Sequence, residues 1–169
     1  MEIIEYIQKQ FAGARRQVDA VLKDTTQEQL NWTPPGTANS IGVTLVHMIS
    51  SEDIFFHQFL QSQKSLWETE NWGEKIGLSA PPGHTQGWDE IKNKVLELEP
   101  VLAYGKSVWA ATDAYIGRLS PAELDRKVTI LTGERLTADI VLMQASHILG
   151  HAGEIAAIKG IQGVKGLPF

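Results

Sequence analysis

The sequence predicts an all-α protein, an antiparallel four-helix bundle with a long loop between its second and third helices. Three observations predict it. Apolar residues recur at three- and four-residue steps over four long stretches, the period of a helix with one buried face. Strand-like alternation is confined to a few residues near position 130. The 169 residues show no internal repeat and no heptad continuity, which fits one domain over residues 1–169 with a single core.

The first helix spans about residues 2–24, where Ile3, Ile4, Ile7, Phe11, Ala14, Val18, Val21 and Leu22 alternate with Glu, Lys, Arg and Gln. Thr26 and Gln29 form a capping box for a short helical turn, and residues 31–39, with Pro34, Pro35 and Gly36, are a loop. Asn39 or Ser40 caps the second helix, Ile41 to about Gln61, whose first half is so apolar that it belongs near the middle of the fold. Residues 62–87 carry Asn71, Gly73, Gly77, Pro81, Pro82, Gly83 and Gly87, and read as an irregular excursion with Trp67 and Trp72 packed onto the body. A loop this long is commonly part of a site's rim.

The third helical stretch covers about residues 88–119, and Pro100 should kink or split it because an interior proline loses a hydrogen bond. Ser120 to Leu124 reads as a turn with a helical start, and Val128 to Glu134 as extended or hairpin-like. The last helix opens near Thr137 and Asp139 and runs to about Lys159, stopped by Gly160 and the glycine-rich tail.

Composition narrows the function classes. The absence of cysteine removes disulfides, thiolate zinc ligands and cysteine nucleophiles, so any thiol chemistry takes its thiol from outside. Lys and Arg are outnumbered 15 to 20 by Asp and Glu, for a net charge of -5, and form no stripe, so nucleic acid is not expected as a partner. The acidic start and the lack of any long apolar run predict a cytoplasmic protein with no membrane partner.

The most informative feature is His147-Ile148-Leu149-Gly150-His151 in an otherwise apolar helix. Four residues turn a helix by about 400°, so the two imidazoles project from one face a single turn apart, close enough to grip one metal ion. His47 on the second helix lies in a similar context, with Ser50 and Ser51 on its own face. It is either a core histidine bonded to a serine or a carbonyl, or the third ligand. His57, about 15 Å of helix rise beyond His47, and His84, in the Pro/Gly loop, are read as surface or rim histidines.

Asn39-Ser40-Ile41-Gly42 followed by His47, the run His147 to Ile155, and the terminal Gly166-Leu167-Pro168 make the chain resemble the DinB-like (YfiT-like) superfamily of metal-dependent hydrolases and thiol transferases, over nearly its whole length. The resemblance implies a four-helix bundle, usually dimeric, in which His47, His147 and His151 bind zinc or nickel. Ala152 and Glu154 stand where such proteins often carry Arg or His and Gln, which bears on substrate class more than on metal binding.

Three neutral histidines leave a tetrahedral ion one open position, the arrangement of catalytic zinc. Glu154 follows His151 by three residues and His147 by seven on the same face. As the candidate catalytic residue it orients a ligand imidazole or acts as general acid and base; otherwise it is a carboxylate paired with Lys or Arg. Gly150 and Gly153 are expected to permit close helix packing, with room for a ligand as the alternative. The five tryptophans are read as core or loop packing before an aromatic binding wall. Ile148 stands where a zincin needs glutamate, no E-x-x-H pair supports a di-iron site, and phosphate-loop and nucleophile-elbow motifs are absent.

The residues reach a three-histidine site with an open position; the resemblance implies a metal-dependent enzyme that activates a low-molecular-weight thiol for transfer to, or isomerisation of, a small-molecule substrate, working as a homodimer. The alternatives are a hydrolase using metal-bound hydroxide and a non-enzymatic metal-binding or stress-related scaffold.

Overall fold

The computed structural model describes residues 1–83 and 88–167. Helix α1 (Ile3–Leu22) buries Phe11, Ala14, Val18, Val21 and Leu22 along one stripe. Its last carbonyls would be orphans, and the buried Lys159 ammonium supplies donors for them: it bonds Val21 O at 2.9 Å and Lys23 O at 3.0 Å. Burial pulls that lysine's pKa down. The predicted capping box at Thr26 is present and starts α2 (Gln27–Asn31).

Helix α3 (Ile41–Asp53) is capped by Ser40, whose hydroxyl accepts from Val43 N at 3.3 Å. It continues through a π-helical turn at Ile54–Phe59, in which Leu60 N reaches back to Phe55 O. A wider turn changes the face on which later side chains emerge, since each residue of a regular helix adds about 100°. His57 accordingly points inward and is only 6% exposed, its Nδ1 2.8 Å from Asp53 Oδ1. It is not a surface histidine, as its distance from His47 suggested. His84 falls outside the described residues.

The segment after α3 is more ordered than the expected irregular excursion, because the buried Asp53 carboxylate organises it. Its two oxygens accept from Leu66 N and Trp67 N, both at 2.9 Å, and fix the start of α4 (Leu66–Thr69). The Tyr104 hydroxyl donates to the same carboxylate at 2.7 Å. Trp67 and Trp72 pack against the Tyr104 ring, and Trp72 opens α5 (Trp72–Ile76). Helices α6 (Trp88–Lys92) and α7 (Leu98–Ile116) are separate. Pro100 is the third residue of α7, where the backbone N–H has no partner within the helix, so the proline sits in a first turn rather than a kink.

After α8 (Pro121–Leu124), β1 (Lys127–Ile130) and β2 (Gly133–Leu136) form an antiparallel hairpin, with Gly133 supplying the positive φ of 110° at its turn. Helix α9 (Thr137–Ile161) completes the bundle.

Each long helix packs on two others: α1 and α3 each lie against both α7 and α9. Directions follow from side-chain pairs. Phe11 meets Phe56 and Arg15 meets Glu52, so α1 and α3 run oppositely. Phe56 meets Tyr115 and Gly105 lies against Ile49, so α3 and α7 run the same way. Lys159 meets Val21, so α9 runs with α1. The order is up, down, down, up, and residues 60–97 are the crossover that lets α3 and α7 share a direction. Arg15, bonded to Glu52 and Asp113, crosses the interior, and burial raises the Glu52 pKa against the pull of Arg15. Among the described residues no helix is long and apolar enough to cross a membrane.

Candidate metal centre

Two helices of opposite direction, α3 and α9, bring His47, His147 and His151 together. The ring centroid of His47 lies 5.2 Å from those of both His147 and His151, and the latter two are 4.3 Å apart. One nitrogen from each can be chosen so that all three lie within 4.8 Å of one another, and all three side chains are half-buried. His57, expected at the surface or rim, is buried elsewhere, at Asp53.

Two of the imidazoles have their protonation pattern set from behind. His47 Nδ1 donates to the carbonyl of Pro82 at 3.2 Å, and a carbonyl can only accept. His151 Nδ1 donates to Glu154 Oε2 at 2.8 Å. Each ring therefore presents the lone pair of Nε2 on its other edge. The Nε2 atoms of His151 and His147 approach to 3.0 Å. An ion with metal to nitrogen bonds of about 2.0–2.1 Å holds tetrahedral ligands roughly 3.3 Å apart, so the pair needs to open by only a few tenths of an ångström. A neutral, half-buried three-nitrogen donor set fits zinc, nickel or a similar borderline cation, and does not fit calcium or magnesium.

Glu154 is placed behind His151, on the opposite edge of the ring from the lone pair. Its hydrogen bond from His151 is the main reason its pKa is lowered; positive charge on His151 or His47 when these are protonated, and the Thr44 hydroxyl, act in the same direction, and burial opposes them. Among the described residues no Lys or Arg pairs with it. Gly150 and Gly153 depart from expectation: both are exposed, and a Cβ at either position would meet nothing within 4 Å, so neither serves packing inside the chain nor lines the histidine site. The close approach is at Gly166, where a Cβ would come within 2.7 Å of Ala156 O as the tail folds back on α9.

Sequence reasoning expected the long loop at a site's rim but not which of its residues meet the histidines. The Pro82 carbonyl accepts from both His47 and Ser50, the latter at 3.3 Å. The Trp88 ring lies 4.9 Å from the His47 ring at a tilt of 45°, and its indole N–H donates to Gly83 O at 2.6 Å. A proline and glycine loop followed by a tryptophan carried the signal for a rim, but only the folded crossover shows which histidine it covers.

The fold and site define an up-down-down-up helical bundle with a three-histidine cluster between two of its helices. The chain belongs to the DinB superfamily, whose sequence profile matches residues 10–155. Similar solved structures include a conserved protein from Enterococcus faecalis, with a TM-score of 0.79 at 18% identity, covering 96% of this chain and 99% of that one. A DinB-like protein, YjoA from Bacillus subtilis, superposes with a TM-score of 0.63 at 17% identity, covering 97% and 96%. At these identities the likeness speaks for the fold. No protein of curated function matches the chain in sequence.

Proposed function

We propose that the protein is a metal-dependent enzyme that holds one zinc or nickel ion through His47, His147 and His151 and acts on a low-molecular-weight thiol, transferring its sulfur to a small electrophilic substrate or using it in an isomerisation. The observation that carries the reading is the convergence of three imidazoles from two helices, two of them oriented from behind by acceptors. A divalent ion in such a set supplies Lewis acidity, which makes a thiol or a water acidic near neutral pH.

The chain's own residues do the rest. The Pro82 carbonyl and Glu154 hold the His47 and His151 rings in the orientation that keeps Nε2 free of a proton. Trp88 covers one side of His47 and limits water there. Glu154, with its lowered pKa, keeps a negative charge beside the cluster and holds the His151 proton at Nδ1. The thiol comes from outside, since the chain has no cysteine. The family resemblance, rather than the geometry, motivates a thiol over the hydrolysis of an ester or amide.

We place the active form as a cytoplasmic homodimer built on the outer face of α1 and α9. Ile3, Tyr6, Leu142 and Leu149 are exposed there around a groove of about 550 Å³.

The test is elemental analysis of protein purified without an affinity tag. About one ion per chain is expected, and a content below about 0.2 that stays low after zinc or nickel is added refutes the site. His47→Ala should abolish binding as thoroughly as His151→Ala. Turnover of a chromogenic electrophile with a panel of cellular thiols, against ester and amide hydrolysis, then decides the reaction class.

A further inference from the structure

Along the seam between α3 and α9 the polar residues form three successive rungs. Glu154 lies beside Thr44, the histidines oppose His47, and Gln144 meets Ser51. Among the described residues, the hydrogen bond of the next rung joins Gln144 to Ser51 rather than to a histidine. Gln144 precedes His147 by three residues and His151 by seven, so it shares their helix face, and Ser51 is one turn past His47. Gln144 is 1% exposed, yet its amide makes a single long contact, Nε2 to Ser51 Oγ at 3.4 Å. Its other polar atom is buried with no hydrogen-bond partner among the described residues. Exchanging the amide oxygen and nitrogen would still leave one end unanswered.

A buried amide end without a partner works against folding, and leucine or methionine would fill the same space between apolar helices at no such cost. Ser51 is half-buried and offers a second polar atom to whatever reaches the rung from outside. We infer that Gln144 and Ser51 bind the polar end of a small molecule whose other end reaches the three-histidine centre, and that this polar end is a neutral amide or hydroxyl. The inference rests on the metal reading of the histidines. Neutrality follows from the pair itself: neither residue carries charge, and together they offer donors and acceptors that an amide answers on both of its ends. The ligand class is thus a thiol with an uncharged hydrogen-bonding group a few bonds from the sulfur.

Cobalt-loaded protein tests this through its visible absorption, which reports thiol binding without turnover. Titration with 2-mercaptoacetamide and with propane-1-thiol gives two affinities for each variant. Gln144→Met should weaken the amide thiol about five- to tenfold and leave propane-1-thiol within about twofold, and Ser51→Ala should weaken only the amide thiol, about threefold. The melting temperature of metal-free Gln144→Met should equal or exceed that of the parent, because the one bond removed is long and a buried unsatisfied oxygen goes with it. Equal effects on both thiols, or no effect on either, overturn the inference while leaving the metal site standing. A lower melting temperature with an unchanged thiol ratio assigns Gln144 to the core and also overturns it. Failure of the parent protein to bind cobalt overturns this inference and the metal reading together.

Discussion

Glu154 offers the sharpest quantitative test of how the centre is held. Its carboxylate accepts from His151 Nδ1 at 2.8 Å, with the two side chains 38% and 21% exposed. A hydrogen bond to a charged acceptor is worth about 1.5–3 kcal/mol when sheltered. Partial exposure takes this one just below that range, to about 1.4 kcal/mol, because solvent screens the charge. That is about tenfold in metal affinity, the low edge of the range seen when partners behind a ligand imidazole are removed. Glu154→Ala should therefore raise the zinc Kd about tenfold. Glu154→Gln, which keeps an acceptor but loses the charge, should raise it about threefold. His151→Ala, which removes a ligand outright, should exceed both. The assay is competition for zinc against a chromophoric chelator, with tag-free protein at fixed pH and salt. A Glu154→Ala Kd within twofold of the parent would refute the orienting role, and a loss as large as that of His151→Ala would make Glu154 a ligand instead.

Trp88 lies against His47, with ring centroids 4.9 Å apart, so nickel binding should quench its emission, and Trp88→Phe should lose most of the quenching; an unchanged fraction in the variant removes Trp88 from the site. The hydrogen bond to Asp53 raises the His57 pKa above its ordinary value near 6.5, with burial opposing. A raised pKa contributes stability that is fully present below about pH 6.5 and is lost as pH rises through the folded-state value. Urea unfolding should show stability falling as pH rises from about 6 to 8 in the parent, with a shallower fall in His57→Gln; parallel slopes would refute the pairing. Light scattering should give twice the chain mass of 18.7 kDa for the parent and the chain mass for Leu149→Glu, whereas a parent that runs as a monomer refutes the α1 and α9 interface.

Most of the helical framework was legible because it is local. Caps at Ser40 and Thr26 act over a few residues, and their geometry is set by the chain around them. The pairing of His147 with His151 was legible for the same reason, as a four-residue step on one helix. Other readings failed where distant segments decided the outcome. The inward His57 depends on a π-helical turn and on Asp53. The order within residues 62–83 depends on a carboxylate that belongs to α3. Gly150 and Gly153 face outward because α3 covers the opposite side of α9, and sequence spacing says nothing of which side a neighbour takes.

The sequence by itself determined an all-α chain of four long helices, the face of α9 on which two imidazoles stand, and the absence of any cysteine chemistry. Tertiary structure alone decided that α3 and α7 run the same way, that His47 meets the pair across the seam, and that a loop carbonyl 35 residues away sets its tautomer. The division has a physical cause. Helix period and capping are fixed by bonds between near neighbours, whereas the lone pair a histidine presents depends on which acceptor the folded chain brings to its other nitrogen.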